Sequence, residues 1–170
     1  MYRYFSYFCL SLAILFVQIF LLDNLSIAMW LRPMIFPLVV LLLPMEWRPI
    51  WVLLSALAVG LVMDLSLGGS GLYTASLLPI AVLRRWTMFL TTRRSVEHGD
   101  QTDLLSRLGL KTMMFYIGGA MLLHHALFFL LETLSFASPL RLVAIIISST
   151  LLTLLLALPI VRIFQSKIVQ

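Results

Sequence analysis

The chain is poor in the residues that build soluble or disulfide-stabilised domains. Its 170 residues include a single cysteine, Cys9, so no disulfide can form within the chain. Only 11% of the residues are Asp, Glu, Lys or Arg, whereas about 25% are charged in an average soluble protein. Because so few charged side chains cannot cover a soluble core of this length, we exclude a soluble globular domain.

Long apolar runs take the place of charge. Hydrophobic residues make up 62% of the sequence, against roughly 45–50% in average proteins, which indicates an integral membrane protein. The formal net charge is +5 and the sequence pI is about 9.9. We expect no nucleic-acid partner, because the basic residues lie between hydrophobic runs and form no separate basic domain.

The apolar runs predict one domain, residues 1–170, that is all-α and forms a bundle of six transmembrane helices. The assigned spans are residues 5–22, 34–45, 50–63, 72–84, 112–131 and 142–161. The second span is short for a straight helix, which needs about 20 residues, and it contains Pro37 and Pro44. Because proline removes a backbone donor, we expect this span to be kinked, locally unwound or shielded by neighbouring helices.

Basic residues set the orientation of the bundle. Ten of the twelve Lys and Arg residues fall on one side of the six-span threading, and only Arg32 and Arg141 fall on the other. Lys and Arg are retained on the cytoplasmic side, so both termini are predicted to be cytoplasmic. The first run, which follows Arg3, is interpreted as a retained span, with a secretory signal cleaved near Ser26-Ile27-Ala28 as the alternative.

Residues 86–111 are the one sizeable hydrophilic stretch and are predicted to be a cytoplasmic loop between spans 4 and 5. Thr102-Asp103 can cap a short helix that carries Leu104, Leu105 and Leu108 on one face. That helix would lie at the membrane interface or dock on a partner. An ordered surface loop without a partner is the alternative.

Ionisable residues near the spans are the candidates for function, because burying them in lipid is costly. His125 and Glu132 are seven residues apart, close to two helical turns, so they share a face of span 5. One interpretation places them with Asp64, and with Arg32 or Arg141, in an outward-facing polar pocket that responds to protons or a ligand. The other, which we favour, is structural: interhelical hydrogen bonding plus an interfacial glutamate.

The known catalytic and metal-binding patterns do not match this sequence. His124-His125 are adjacent and do not form the His-Glu-x-x-His pattern of zinc proteases. Residues 68–71 are glycine-rich but lack the lysine of a phosphate-binding loop. His98 lies near three acids in the polar loop without the spacing of metal ligands. We therefore predict that the protein is not an enzyme and uses no metal or cofactor.

Two stretches resemble the rod shape-determining membrane protein family MreD. The first is Arg32-Pro33, at the start of span 2. The second covers residues 60–72 and has the pattern Gly-x-x-x-Asp with trailing glycines; its motif residues are Gly60, Asp64, Gly68 and Gly71. Residues 124–132 resemble the span-5 pattern of some family members, and length and layout also agree. The polar segment 93–111 departs from the family pattern.

The resemblance implies a scaffold or regulatory role in bacterial cell elongation. The family belongs to the inner-membrane complex that builds the peptidoglycan wall. Its associated partners are the bitopic protein MreC, the actin-like MreB filament, and the elongation transpeptidase and glycosyltransferase. The resemblance thus implies a multi-pass protein of the bacterial inner membrane that acts through helix contacts within lipid. It also makes the motif residues of the two stretches the candidates for partner contact.

The sequence is also compatible with two other functions. The family fold is similar to the six-helix substrate-binding subunits of energy-coupling-factor vitamin transporters. A transporter subunit of this kind predicts an outward pocket for a vitamin-sized molecule, formed by the span 1–2 loop, Asp64 and Glu132. A membrane enzyme that uses His124, His125 and Glu132 is the remaining alternative.

Overall fold

The computed structural model describes residues 2–24, 31–68, 70–93, 105, 108–133 and 138–167. Across these residues the elements are helical, so the all-α prediction is confirmed for them. The helices are α1 (Tyr2–Phe16), α2 (Pro37–Leu41), α3 (Pro49–Leu67), α4 (Leu72–Thr92), α5 (Leu110–Thr133) and α6 (Pro139–Lys167). A π-helical turn, Val17–Leu22, continues directly from α1.

Prolines and glycines mark several helix boundaries. Pro37 and Pro49 are the first residues of α2 and α3, a position where the missing N–H costs nothing and the fixed φ suits a helix. Gly68 ends α3 with a φ of 68°, and Gly71 precedes α4 with a φ of 92°. Glycine adopts these left-handed angles without a Cβ clash, so the chain reverses tightly between α3 and α4.

The long helices surround a central segment, residues 31–45. In chain order, α3 packs on α4, α4 on α5, and α5 on α6. The rings of Tyr7 on α1 and Phe164 on α6 are 5.7 Å apart, which brings the first and last helices together. The short helix α2 lies among them and contacts α1, α3, α4 and α5. Residues 31–45, named here the central segment, therefore run through the middle of the bundle.

The central segment corrects the prediction of a helix over residues 34–45. Only the five residues of α2 are helical there, and residues 31–35 are neither helix nor strand. Every residue from Pro33 to Met45 is buried. The expectation that this span is unwound and shielded is thus confirmed. Its physical cause is that Pro37 cannot donate to a preceding turn, while Pro44 stops the helix from continuing.

Three helices of the described part are long and apolar enough to cross a bilayer. They are Pro49–Leu67, Leu110–Thr133 and Pro139–Phe164, with mean hydropathies of 2.2, 1.7 and 2.4. Such helices indicate a membrane protein. Their outward side chains are largely apolar and exposed, as on α6 at Leu151 and Leu155, which is the pattern expected for surfaces that face lipid.

The predicted loop at residues 86–111 is shorter in the structure. Helix α4 extends to Thr92, and α5 begins at Leu110. The predicted capping pair Thr102-Asp103 lies outside the described residues. Leu105, one of the apolar residues assigned to that short helix, is described and buried.

Candidate functional site

Asp64 binds the first turn of α4. Its carboxylate accepts hydrogen bonds from the backbone N–H groups of Tyr73, at 3.1 Å, and of Thr74, at 3.0 Å. The Thr74 hydroxyl donates a third bond at 2.6 Å. The first N–H groups of an α-helix have no partner within the helix, and Gly71 at the cap position has no side chain to bind them. Asp64 therefore caps α4 from the neighbouring helix, where a negative charge is favourable.

Gly60 permits α3 and α4 to approach each other closely. A Cβ atom at residue 60 would lie 2.6 Å from the Cα of Thr74, well inside the ordinary contact distance of about 3.5–4.0 Å. Thr74 therefore contacts both residues of the Gly-x-x-x-Asp pattern. With Gly68 and Gly71 in the turn, these residues build a hairpin of α3 and α4, named here the motif hairpin. The predicted partner motif is accordingly bonded within the chain.

The Arg32-Pro33 stretch enters the central segment, and Gln18 binds its backbone. Gln18 Oε1 accepts a hydrogen bond from the Ile35 N–H at 2.7 Å, and its Nε2 donates to the Pro33 carbonyl at 3.2 Å. Gln18 itself is 2% exposed and lies in the π-helical turn. An unpaired backbone group in a lipid environment costs several kcal/mol, so this one amide replaces two hydrogen bonds that a helix would have supplied.

Two hydroxyls of α6 bind the same stretch from the other side. Ser149 Oγ accepts from the Arg32 N–H at 3.3 Å, and Thr153 Oγ1 accepts from the Met34 N–H at 3.1 Å. Both hydroxyl-bearing residues are buried. The non-helical start of the central segment is therefore held between the first and last helices by side-chain hydrogen bonds.

Arg84 binds the other end of the central segment. Its guanidinium donates to the carbonyls of Val40 and Leu43, both at 3.0 Å, and of Pro44 at 2.7 Å. Arg84 is 1% exposed, and within the described part of the chain no carboxylate pairs with it. The last carbonyls of a helix have no donors within it, and a cation is favourable there. Arg84 therefore acts as the C-terminal cap of α2.

Arg85 extends this contact to the turn that follows. Its guanidinium donates to the carbonyls of Met45 at 3.1 Å and Trp47 at 3.0 Å. From the sequence alone, Arg84 and Arg85 indicate only the orientation of the chain in the membrane. The structure adds that their guanidinium groups bind five carbonyls between residues 40 and 47.

His124 and His125 are both fully buried in α5. His125 Nδ1 lies 2.8 Å from the Met121 carbonyl, and because a carbonyl only accepts, this nitrogen carries the proton. His125 Nε2 lies 3.3 Å from the Thr153 hydroxyl, and His124 Nε2 lies 3.2 Å from Ser76 Oγ. Nδ1 of His124 has no hydrogen-bond partner among the described residues. Thr153 thus connects α5, α6 and the central segment.

The predicted polar pocket corresponds to one end of the bundle, but its residues have separate partners. Arg32 and Glu132 form an ion pair at 2.6 Å, with side chains 54% and 33% exposed. Asp64 is bound to α4, and the described contacts do not join His125 to Glu132. Arg141 is exposed.

His98 and the acids near it lie outside the described residues. Their spacing in the sequence does not match that of metal ligands. Among the residues that are described, no group of three or more His, Cys, Asp or Glu side chains converges to hold a metal ion.

The side chains that bind the start of the central segment were not among the candidate residues from the sequence. They are those of Gln18, Ser149 and Thr153. Gln18 is the only strongly polar residue inside the first apolar run, and that isolation is the signal that could have identified it. Ser149 and Thr153 lie among small polar residues of the last apolar run, where such residues indicate close helix packing. Neither signal says which backbone groups these side chains bind.

No family model matches the chain, no curated protein matches it, and no solved structure matches it.

Proposed function

We propose that this protein is a multi-pass scaffold of the bacterial inner membrane that serves the cell-elongation complex, as the MreD resemblance implies. The observation that supports this most is that residues of the two resembling stretches form hydrogen bonds within the bundle. The backbone around Arg32-Pro33 is bound by Gln18 and α6, and Asp64 is bound to α4. Residues committed to internal bonds give a rigid bundle, which suits a protein that presents a fixed surface to partners.

The proposal includes six membrane crossings with both termini in the cytoplasm. The Arg32–Glu132 ion pair lies at one end of the bundle. The basic side chains of Arg48 and Arg85 lie at the opposite end of the central segment, beside Trp47. Cationic residues concentrate on the cytoplasmic side of membrane proteins, so we assign the Trp47 end to the cytoplasm and the Glu132 end to the periplasm.

The proposed partners are an MreC-type bitopic protein, an MreB-type filament, and the elongation transpeptidase and glycosyltransferase. Helix association in lipid relies on small residues that permit close packing. Gly119 is such a residue: it is exposed on α5 between Phe115 and Leu122, and a Cβ built on it meets no heavy atom within 4 Å. We propose that a partner's transmembrane helix packs here, and that different affinity for two partner states biases its activity.

The test is to deplete this protein from a rod-shaped bacterium that expresses it, and to purify a tagged copy with its partners. Loss of the protein should turn rods into spheres, and a tagged copy should restore the shape and co-purify the MreC-type partner. Gly119→Ile should lower that co-purification by at least tenfold without changing the amount of protein in the membrane. Cells that keep their shape without the protein, together with no recovery of the partner, would overturn the proposal.

The transporter-subunit alternative has less support. It needs free polar groups in an outward pocket, and both acids assigned to that pocket already have partners: Asp64 binds Tyr73 and Thr74, and Glu132 binds Arg32. A vitamin-sized molecule bound at one copy per chain in a native mass spectrum would favour the transporter function over the scaffold.

A further inference from the structure

An apolar groove opens between α1 and α3, near the end of the bundle where Tyr7 meets Phe164. Its volume is about 470 Å³, within the range of about 300–1,000 Å³ that is typical of ligand pockets. Val39 and Leu43 of the central segment form its floor, and Leu12 is on one wall.

The two serine hydroxyls in the groove already donate their protons within the bundle. The Ser11 hydroxyl donates to the Tyr7 carbonyl at 2.8 Å, and the Ser55 hydroxyl donates to the Trp51 carbonyl at the same distance. Each hydroxyl has one proton, and here it is already used within its own helix. Most of the other lining side chains are aliphatic or aromatic, so the groove suits an occupant that is mainly hydrocarbon.

The groove has the length of one membrane leaflet. The lining residues on the two helices lie within positions 7–15 of α1 and 55–62 of α3, which cover about 10–12 Å at 1.5 Å per residue. One leaflet contributes about 15 Å of a hydrocarbon core that is about 30 Å thick. Farther along, the π-helical turn Val17–Leu22 contacts α3. A partner helix needs a surface across both leaflets, whereas a lipid chain needs only one.

Positive charge lies at the interfacial end of this groove. A second cavity shares Trp47, Ser55 and Ala58 with the first and continues to Arg48 and Trp51. Arg48 is exposed and stands at the N-terminus of α3.

Arg85 donates to the Trp47 carbonyl and adds a second cation beside the same turn, while Glu46 is the acid of that turn. Tryptophan at membrane interfaces sits at headgroup level. The charge at this end is thus complementary to an anionic headgroup, and the apolar groove beside it is complementary to the attached chain.

We propose that the α1–α3 groove binds an anionic phospholipid of the cytoplasmic leaflet. One acyl chain lies along Val39 and Leu43, and the phosphate is held by Arg48 between Trp47 and Trp51. This inference goes beyond the scaffold function: lipid binding rests on the groove and its charged end, and only the choice of the cytoplasmic leaflet rests on the membrane orientation proposed above.

The test is native mass spectrometry of the full chain, released from detergent micelles that contain equal amounts of phosphatidylglycerol and phosphatidylethanolamine with identical acyl chains. The wild type should retain phosphatidylglycerol preferentially. Arg48→Gln should reduce that preference about fivefold, which corresponds to about 1 kcal/mol for one basic residue near a lipid surface. Ala58→Phe, which fills the groove, should reduce retention of both lipids.

Arg162→Gln is the matched control, because Arg162 is an exposed arginine of α6 outside the groove; it should retain lipid as the wild type does. Glycerophosphate at equal concentration should not displace the lipid, since it lacks the acyl chain. Equal retention of the two lipids by the wild type, or equal loss in Arg48→Gln and Arg162→Gln, would overturn the proposal. So would efficient crosslinking of an Ala58→Cys variant, in a Cys9→Ser background, to a second copy or another protein.

Discussion

At the scale of single residues, this bundle uses polar side chains to replace missing backbone hydrogen bonds. Gln18 binds Pro33 and Ile35, and Arg84 binds three carbonyls of the central segment. In lipid the backbone groups of a non-helical segment find no water, so each must be bonded by protein. The buried polar residues are therefore part of the fold's framework.

The largest residue-scale effect is expected at Arg84. Arg84→Met should lower the free energy of unfolding by about 3 kcal/mol, because three buried carbonyls lose donors at about 1–3 kcal/mol each while the cost of burying a cation is relieved. Denaturant titration in mixed micelles measures the change. Arg162→Met, at an exposed position of the last helix, should stay within about 0.5 kcal/mol of wild type. Equal stability of Arg84→Met and wild type would refute the capping role.

At the scale of elements, the motif hairpin explains the most recognisable stretch of the sequence. Gly60 and Asp64 lie one helical turn apart on α3, and both meet Thr74 on α4. The pattern specifies how two helices contact each other and how the second one begins. A bulkier residue at position 60 or a non-acceptor at position 64 should therefore disturb the contact between α3 and α4 before anything else.

Two glycine-to-alanine variants test the close approach. Gly60→Ala should destabilise the bundle by about 1–3 kcal/mol, the usual cost of overpacking, because its Cβ meets the Thr74 backbone at 2.6 Å. Gly119→Ala adds the same methyl group to a helix where nothing lies within 4 Å, and should gain about 0.5–1 kcal/mol from helix propensity. The same denaturant titration compares them. A similar gain in both variants would contradict the packing described here.

Capping by Asp64 has a local readout. Asp64→Ala should cost about 1–2 kcal/mol and should speed hydrogen exchange at the amides of Tyr73 and Thr74, which lose their acceptor. Asp64→Asn keeps one acceptor oxygen and should have a smaller effect on both. Amide exchange followed by NMR in micelles separates these amides from those deeper in α4. Unchanged exchange in Asp64→Ala would show that another group caps the helix.

At the scale of the whole molecule, helices from both ends of the chain close around the central segment. The first helix supplies Gln18, and the last supplies Ser149 and Thr153. A segment without its own helical ladder can exist inside a membrane protein only when other elements bond and cover it. The central segment therefore depends on the complete bundle and is expected to form only after the last helix has packed.

The proposed membrane threading predicts opposite accessibility at the two ends of the bundle. In a Cys9→Ser background, Ser138→Cys should react with a membrane-impermeant maleimide in intact spheroplasts, because it precedes α6 at the periplasmic end. Arg93→Cys, after α4, should react only once the membrane is permeabilised. Both native residues are exposed, so differences in labelling report on sidedness. Labelling of Arg93→Cys in intact spheroplasts would reverse or break the threading.

Several elements were predictable because their signals are local. Helices α3, α5 and α6 contain the predicted apolar runs and extend up to six residues beyond them, and the glycines at 68 and 71 mark the turn. The site was less predictable. The sequence predicts Asp64 as a partner-contact or pocket residue, and no local pattern shows that its carboxylate oxygens accept hydrogen bonds from α4.

Composition and patterning were sufficient to predict a helical chain with long apolar helices, which indicate a membrane protein, and the unusual second span, because hydrophobicity and proline act on neighbouring residues. Only the tertiary structure decided what binds that span. Gln18, Arg84, Ser149 and Thr153 reach it from residues 15 to 119 positions away in the chain. Hydrogen bonds across such separations depend on how helices pack, and no window of the sequence contains both partners.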